Sequence, residues 1–224
     1  MNNQNKNNQN VEEQDKNNQN KNAHAELVER IIKNEWGAFD KVLNEGGRAD
    51  CQDNWNTFHL MRASQYNIWP EEMLVQYVTD FELAKNQGRN LIMEKYAYME
   101  ASTAPDEYNK IKESLPEVSE EKMAIINHIV QIQVKWMEEF SEKYPHMAGN
   151  SRSIHTYEDN AYNTSYETYL RGELMTYSPD MLILYGRFVV ELVQEGRNLA
   201  YMTMEQTAFL YGYDSVDAAE MSLM

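Results

Sequence analysis

Six of the eight arginines fall into three pairs at matching places in two halves of the chain: Arg48 with Arg152, Arg62 with Arg171, and Arg89 with Arg197. A guanidinium stays charged and offers a planar fork of donors that grips a carboxylate or phosphate through parallel bonds. Repeated placement of this group in a chain of formal charge −16 points to an anion-binding site. Cys51 follows Arg48 by the same spacing as His155 follows Arg152, so aligning the arginines sets the only thiol opposite an imidazole. A thiol beside imidazole and guanidinium loses its proton more easily and can act as a nucleophile. Cys51 and His155 are therefore the candidate catalytic pair, with acyl or amide transfer as the reaction class. Two blander readings stand beside it: an inert thiol with a surface histidine, or an anion-binding wall with no covalent step.

Arg62 lies between Phe58 and Tyr66, with Trp55 a further turn back, so it emerges from the apolar side of its helix and needs a partner. That partner is either Glu35, inside the apolar stripe of the first helix, or an anionic ligand. Arg171 has Glu167 one turn before it and Glu173 nearby, which allows an intrahelical ion pair or a ligand contact. Arg89-Asn90 and Arg197-Asn198 sit in an identical Gly-Arg-Asn-Leu at 88–91 and 196–199. On an apolar helical stripe, Gly88 and Gly196 are expected to permit a close helix crossing, and the asparagines to orient a ligand. A phosphate-cradling glycine loop is disfavoured, because no strand precedes either motif. The candidate ligand-binding set is Arg48, Gln52, Arg62, Arg89 and Asn90 in the first half, and Arg152, Arg171, Glu173, Arg197 and Asn198 in the second. The five histidines are scattered, without His-x-x-x-His, Glu-x-x-His or Cys-x-x-Cys spacing, so no metal site is expected. No cofactor is indicated.

Apolar residues recur at helical spacing, and no segment alternates with period two, so the fold class is all-α. Leu27, Ile31, Phe39 and Val42 outline a first helix ending near Asn44–Gly47, and a short helix runs from Trp55 to about Tyr66. Pro70 opens a long helix reaching about Ser102, Ala104-Pro105 ends it, and a linking helix follows over roughly 106–114. Ser119 starts the second half, where Trp136 answers Trp36; Pro145 and Gly149 close that helix. A loop over 146–163, a helix from Thr164 to Met175 and a last long helix from Ser178-Pro179 complete the pattern. Met181–Tyr185 matches Met73–Tyr77 at the same 108-residue offset that separates Gly196 from Gly88. We read an internally duplicated domain over 23–224: unit one about 24–105, a linker over 106–118, and unit two about 119–213. The units are expected to pack about a pseudo-two-fold axis that brings equivalent loops together.

Residues 1–22 are dominated by Asn, Gln and Lys, cannot bury enough surface to offset chain entropy, and read as a disordered tail. They lack the apolar core of a secretory signal, and no later run approaches the ~20 apolar residues of a membrane span. With a single cysteine, this predicts a cytoplasmic protein. The acidity, with a pI of about 4.7, argues against nucleic acid and anionic lipid as partners.

The chain resembles an uncharacterised bacterial group, domain-of-unknown-function family 4125. The likeness rests on Gly47-Arg48-Ala49-Asp50-Cys51-Gln52 followed by Trp55 and Phe58, and on the two Gly-Arg-Asn-Leu motifs. Arg152 with Ile154-His155, and Thr168-Tyr169-Leu170-Arg171-Gly172-Glu173, complete it. It covers about residues 25–215 and implies no activity, substrate or cofactor. The functional expectation is a central arginine-rich pocket for a small anionic metabolite, with Cys/His chemistry as an extension. The alternative is a non-enzymatic protein–protein interaction module whose arginines are internal ion pairs.

Overall fold

The computed structural model describes residues 2–42, 47–48 and 50–224. Among them lie eleven α-helices and no strand. They are α1 (Asn2–Phe39), α2 (Trp55–Tyr66), α3 (Glu71–Asn86), α4 (Leu91–Thr103), α5 (Pro105–Ile111) and α6 (Glu120–Lys143). After these come α7 (Pro145–Gly149), α8 (Tyr166–Thr176), α9 (Pro179–Gln194), α10 (Leu199–Leu210) and α11 (Val216–Ser222). Side-chain oxygens start seven of them by accepting backbone N–H groups: Asn54 from Thr57, Ser119 from Lys122, Ser165 from Thr168, Ser178 from Met181 and Ser215 from Ala218, with Asn90 and Asn198 at the starts of α4 and α10. The expected end of the first helix, at Asn44–Gly47, falls largely outside the described residues. The segment read from its composition as a tail lies at the start of α1. Residues 20–23 are exposed and the first buried side chain is Val28, so the described end of this segment adds nothing to the core.

Two helices carry the same apolar face. In α6 the buried positions are Ile126, Ile129, Val130, Gln133, Trp136, Met137 and Phe140, the i, i+3, i+4, i+7 pattern of one stripe. In and just beyond α1, Val28, Ile31, Ile32, Glu35, Ala38, Phe39 and Val42 repeat it 98 residues earlier. This register sets Glu35 opposite Gln133 and Ala38 opposite Trp136, so Trp36 is not the counterpart of Trp136. Instead Trp36 is half-buried against Trp55 and Phe58.

The two expected long helices are each broken at the Gly-Arg-Asn-Leu motif. Gly88 (φ +75°) and Gly196 (φ +66°) adopt the left-handed conformation that terminates a helix. In the first, the N–H groups of Gly88 and Arg89 return to the carbonyls of Lys85 and Ala84; in the second, Gly196 and Arg197 return to Val193 and Leu192. Asn90 and Asn198 then cap α4 and α10, accepting from Ile92 and Met93 and from Tyr201. Their amides donate to the carbonyls of Ala38 (2.9 Å) and Trp136 (3.0 Å), which are the paired positions of the α1/α6 register. A Cβ on Gly88 or Gly196 would meet nothing within 4 Å, so these glycines do not serve a close crossing. Gly172 does: a Cβ there would lie 2.8 Å from Met99 Cγ and 3.0 Å from the Lys95 carbonyl, which lets α8 lie tightly on α4.

One hydrophobic cluster draws on both halves. At its middle Trp69 is nearly enclosed, with Tyr66 at 4.8 Å, Tyr185 at 5.7 Å, Tyr77 at 5.8 Å and Tyr177 at 6.4 Å between ring centroids. These edge-on arrangements suit the aromatic quadrupole and leave the phenol hydroxyls to serve buried acceptors. No helix among the described residues is long and apolar enough to cross a membrane.

Candidate functional site

Glu35 places a fully buried carboxylate on the core face of α1. The hydroxyls of Tyr66 and Tyr77 donate to its Oε1 over 2.7 and 2.8 Å, and Arg62 Nε lies 3.0 Å from Oε2. Burial first, then the Glu35 charge, pushes both phenols well above their ordinary pKa and keeps them neutral donors. Burial opposes the Arg62 charge, but Glu35 and its other acidic neighbours more than offset this and hold the guanidinium protonated.

Glu173 on α8 is the second buried carboxylate. Lys95 Nζ of α4 donates to its Oε2 over 2.6 Å, and Arg62 Nη1 lies 3.5 Å from the same oxygen. Gln65 Nε2 (2.7 Å) and the Tyr177 hydroxyl (3.2 Å) donate to Oε1. Burial alone would raise the Glu173 pKa; Lys95, Arg62 and the hydrogen bonds overcome it and bring it down to about 2. The network is balanced in charge, with Arg62 and Lys95 against Glu35 and Glu173. Lys95 Nζ also stands 3.5 Å from the centroid of the Tyr169 ring, and the Arg152 guanidinium carbon 4.7 Å from it. Burial works to raise the Tyr169 pKa, yet Arg62 and Lys95 prevail and lower it.

A cavity of about 810 Å³ opens onto this network. Arg62, Gln65, Gln133 and Glu173 form its inner end. There the buried Gln133 is bonded to the hydroxyls of Tyr166 (3.1 Å) and Tyr185 (3.1 Å). Phe58, Met61, Tyr96, Met137, Leu170 and Met204 make its walls apolar. Cys51, Asn54, Asn150, Ser151 and Arg152, all exposed, stand at its outer end.

Of the expected site residues, the structure brings Cys51, Arg62, Arg152 and Glu173 onto this one cavity. Arg48 lies off its lining and straps its own loop, bonding Asp53 (2.8 Å), Asp40 (2.6 Å) and the Gln52 carbonyl (2.8 Å). Gln52 is buried and donates to the carbonyls of Phe39 and Val42. Arg89 pairs with Glu94, Arg171 with Glu167 and Asn127, and Arg197 with Glu195, each away from the cavity lining. Asn90 and Asn198 are spent as helix caps. His155 is also off the lining: Nε2 lies 3.3 Å from Glu138 Oε1, and the ring stacks on Tyr157. No hydrogen bond joins it to Cys51, because the 3-10 turn Thr156–Glu158 and Glu138 of α6 hold it elsewhere.

Arg152 differs from the other five paired arginines. Among the described residues it has no carboxylate within ion-pair distance; Nη1 donates to the Thr164 carbonyl (3.2 Å) and the cation rests on Tyr169. Lys95, Gln65 and Gln133 escape a reading by motif. For Lys95 and Gln133 the available signal is a polar residue inside an otherwise apolar helical stripe. No group of three or more His, Cys, Asp or Glu that could hold a metal occurs among the described residues.

A family model described as "Protein of unknown function (DUF4125)" matches residues 25–221. The chain belongs to this family. The matched region contains every residue that lines the cavity and leaves out the Asn/Gln-rich segment. Comparison with curated proteins and with solved structures finds no match.

Proposed function

We propose that the chain binds a small anionic metabolite in this cavity, with the Arg152 guanidinium as anion contact and the Arg62–Glu35 and Lys95–Glu173 pairs as a fixed inner wall. The observation that carries this is the Arg152 charge, set on a largely apolar cavity with no carboxylate in ion-pair distance of it among the described residues, in a chain of net charge −16. A guanidinium in such surroundings gains most from an anion that enters with a body able to fill the apolar walls. Thermal denaturation of the full chain against a panel of carboxylates and phosphates tests it: a stabilising compound is expected, and its shift disappears in Arg152→Gln. No shift across the panel overturns the reading.

A transfer reaction dependent on Cys51 and His155 draws support only from the place of Cys51 on the cavity, since His155 pairs with Glu138. One observation favours the second reading, a protein–protein interaction module: five of the six paired arginines face a carboxylate of the same chain, as internal struts would. The open cavity favours the metabolite instead. Retention of a metabolite by the protein purified under native conditions, released on denaturation and identified by mass, separates the two.

A further inference from the structure

We infer that the ligand is an apolar monocarboxylate, an acyl or aryl acid rather than a phosphate ester. This rests on the cavity reading above and names the chemistry of its occupant.

The charge comes first. At the inner end Arg62 and Lys95 are matched by Glu35 and Glu173, so this network leaves no net charge for a ligand to neutralise. Among the described residues Arg152 is then the single uncompensated cation that lines the cavity. One positive charge in a strongly acidic protein suits one negative charge, and a dianion would keep an uncompensated charge within the protein's own negative field.

The donors come next. The polar side chains beside Arg152 already donate to the protein: Asn150 to the His146 carbonyl (3.0 Å), Ser151 to the Met147 carbonyl (3.2 Å) and Asn163 to Ser153 Oγ (2.7 Å). Arg152 itself gives one bond to Thr164, which leaves the rest of its fork open. That edge matches the two oxygens of one carboxylate, whereas a phosphoryl group has three oxygens to satisfy.

The body follows from the walls. Met61, Met137, Met204 and Leu170, with the rings of Phe58 and Tyr96, offer carbon and sulfur surface and few polar partners. Methionine is unbranched and adapts to irregular shapes, so these walls accept a flexible chain or a ring. The volume of about 810 Å³ accommodates such a body with room to spare.

Calorimetric titration of the full chain with octanoate, 3-phenylpropionate, octyl phosphate, octanamide and acetate tests this, together with protection of the unique Cys51 thiol from a disulfide reagent. At least one of the two apolar carboxylates is expected to bind and slow Cys51 labelling, with octyl phosphate, octanamide and acetate each weaker by about tenfold or more. Arg152→Gln should abolish the preference of the carboxylate over the amide while the variant still unfolds cooperatively. Octyl phosphate or octanamide binding as tightly as octanoate overturns the carboxylate assignment but keeps the cavity reading. If none of the five binds, the assignment falls, and the broad metabolite panel then decides separately whether the cavity reading stands.

Discussion

The Lys95 ammonium on α4 and the Glu173 carboxylate on α8 meet at 2.6 Å with both side chains buried, 78 residues apart in the chain. Gly172, the residue before Glu173, allows this, because its missing Cβ lets the two helix backbones close. The contact joins the two halves at the cavity's inner end and aligns Gln65 and Arg62 on the same carboxylate.

Removing one partner of such a pair leaves a buried charge without compensation. Lys95→Met is expected to cost about 3–5 kcal/mol in urea unfolding. The double variant Lys95→Met/Glu173→Met should be less destabilised than the sum of its singles, because Arg62 and Glu35 still neutralise each other. Additive losses would show that the 2.6 Å contact carries no coupling.

The same carboxylate sets an acid limit. Its folded pKa of about 2 lies below its ordinary value of 4.5, so the folded state binds the proton less readily than the unfolded chain. The stability this contributes is fully present above pH 4.5 and is lost as pH falls toward 2. Unfolding free energies measured down that range should decline more steeply in the parent than in Glu173→Gln; equal slopes would deny Glu173 this role.

The glycines separate by mechanism. Gly196→Ala strains a left-handed backbone but meets no neighbour, and should cost about 1 kcal/mol. Gly172→Ala gains helix propensity but drives a Cβ against the Lys95 carbonyl, and should cost about 1–3 kcal/mol while loosening the Lys95–Glu173 contact. A Gly172→Ala protein as stable as its parent would mean that α4 and α8 can part without loss.

Asn90→Ala and Asn198→Ala remove a cap and a tie to the end of a partner helix, each about 1–2 kcal/mol. If these residues are caps alone, affinity for any ligand that stabilises the parent should be unchanged in the folded variants. A selective loss of affinity in isothermal titration would return them to the binding site.

Much of the helical framework was legible because its signals are local. Ser119 and Ser178-Pro179 announce helix starts, and the 12 residues of α2 match the expected Trp55–Tyr66 span. The Gly-Arg-Asn-Leu motif was visible but misread, since a glycine on an apolar stripe looks the same whether it permits a crossing or reverses the chain. Asparagine at the position that follows Gly-Arg is the N-cap signal that distinguishes them. Arg62 was legible as a residue in need of a partner, and Glu35 was one of the two partners it allowed. The third member, Glu173, comes from a helix in the other half, and nothing in local spacing sets that distance.

Sequence by itself determined the helical periodicity, the caps and the presence of arginines that must be neutralised, because each depends on residues within a few turns of one another. Tertiary structure alone decided which arginine remains without a carboxylate. Arg48, Arg89, Arg171 and Arg197 find carboxylates within eight residues along the chain, but only the packing of α1, α2 and α8 around one core brings Arg62 to Glu35 and Glu173 and leaves Arg152 on the cavity with no carboxylate in ion-pair distance among the described residues.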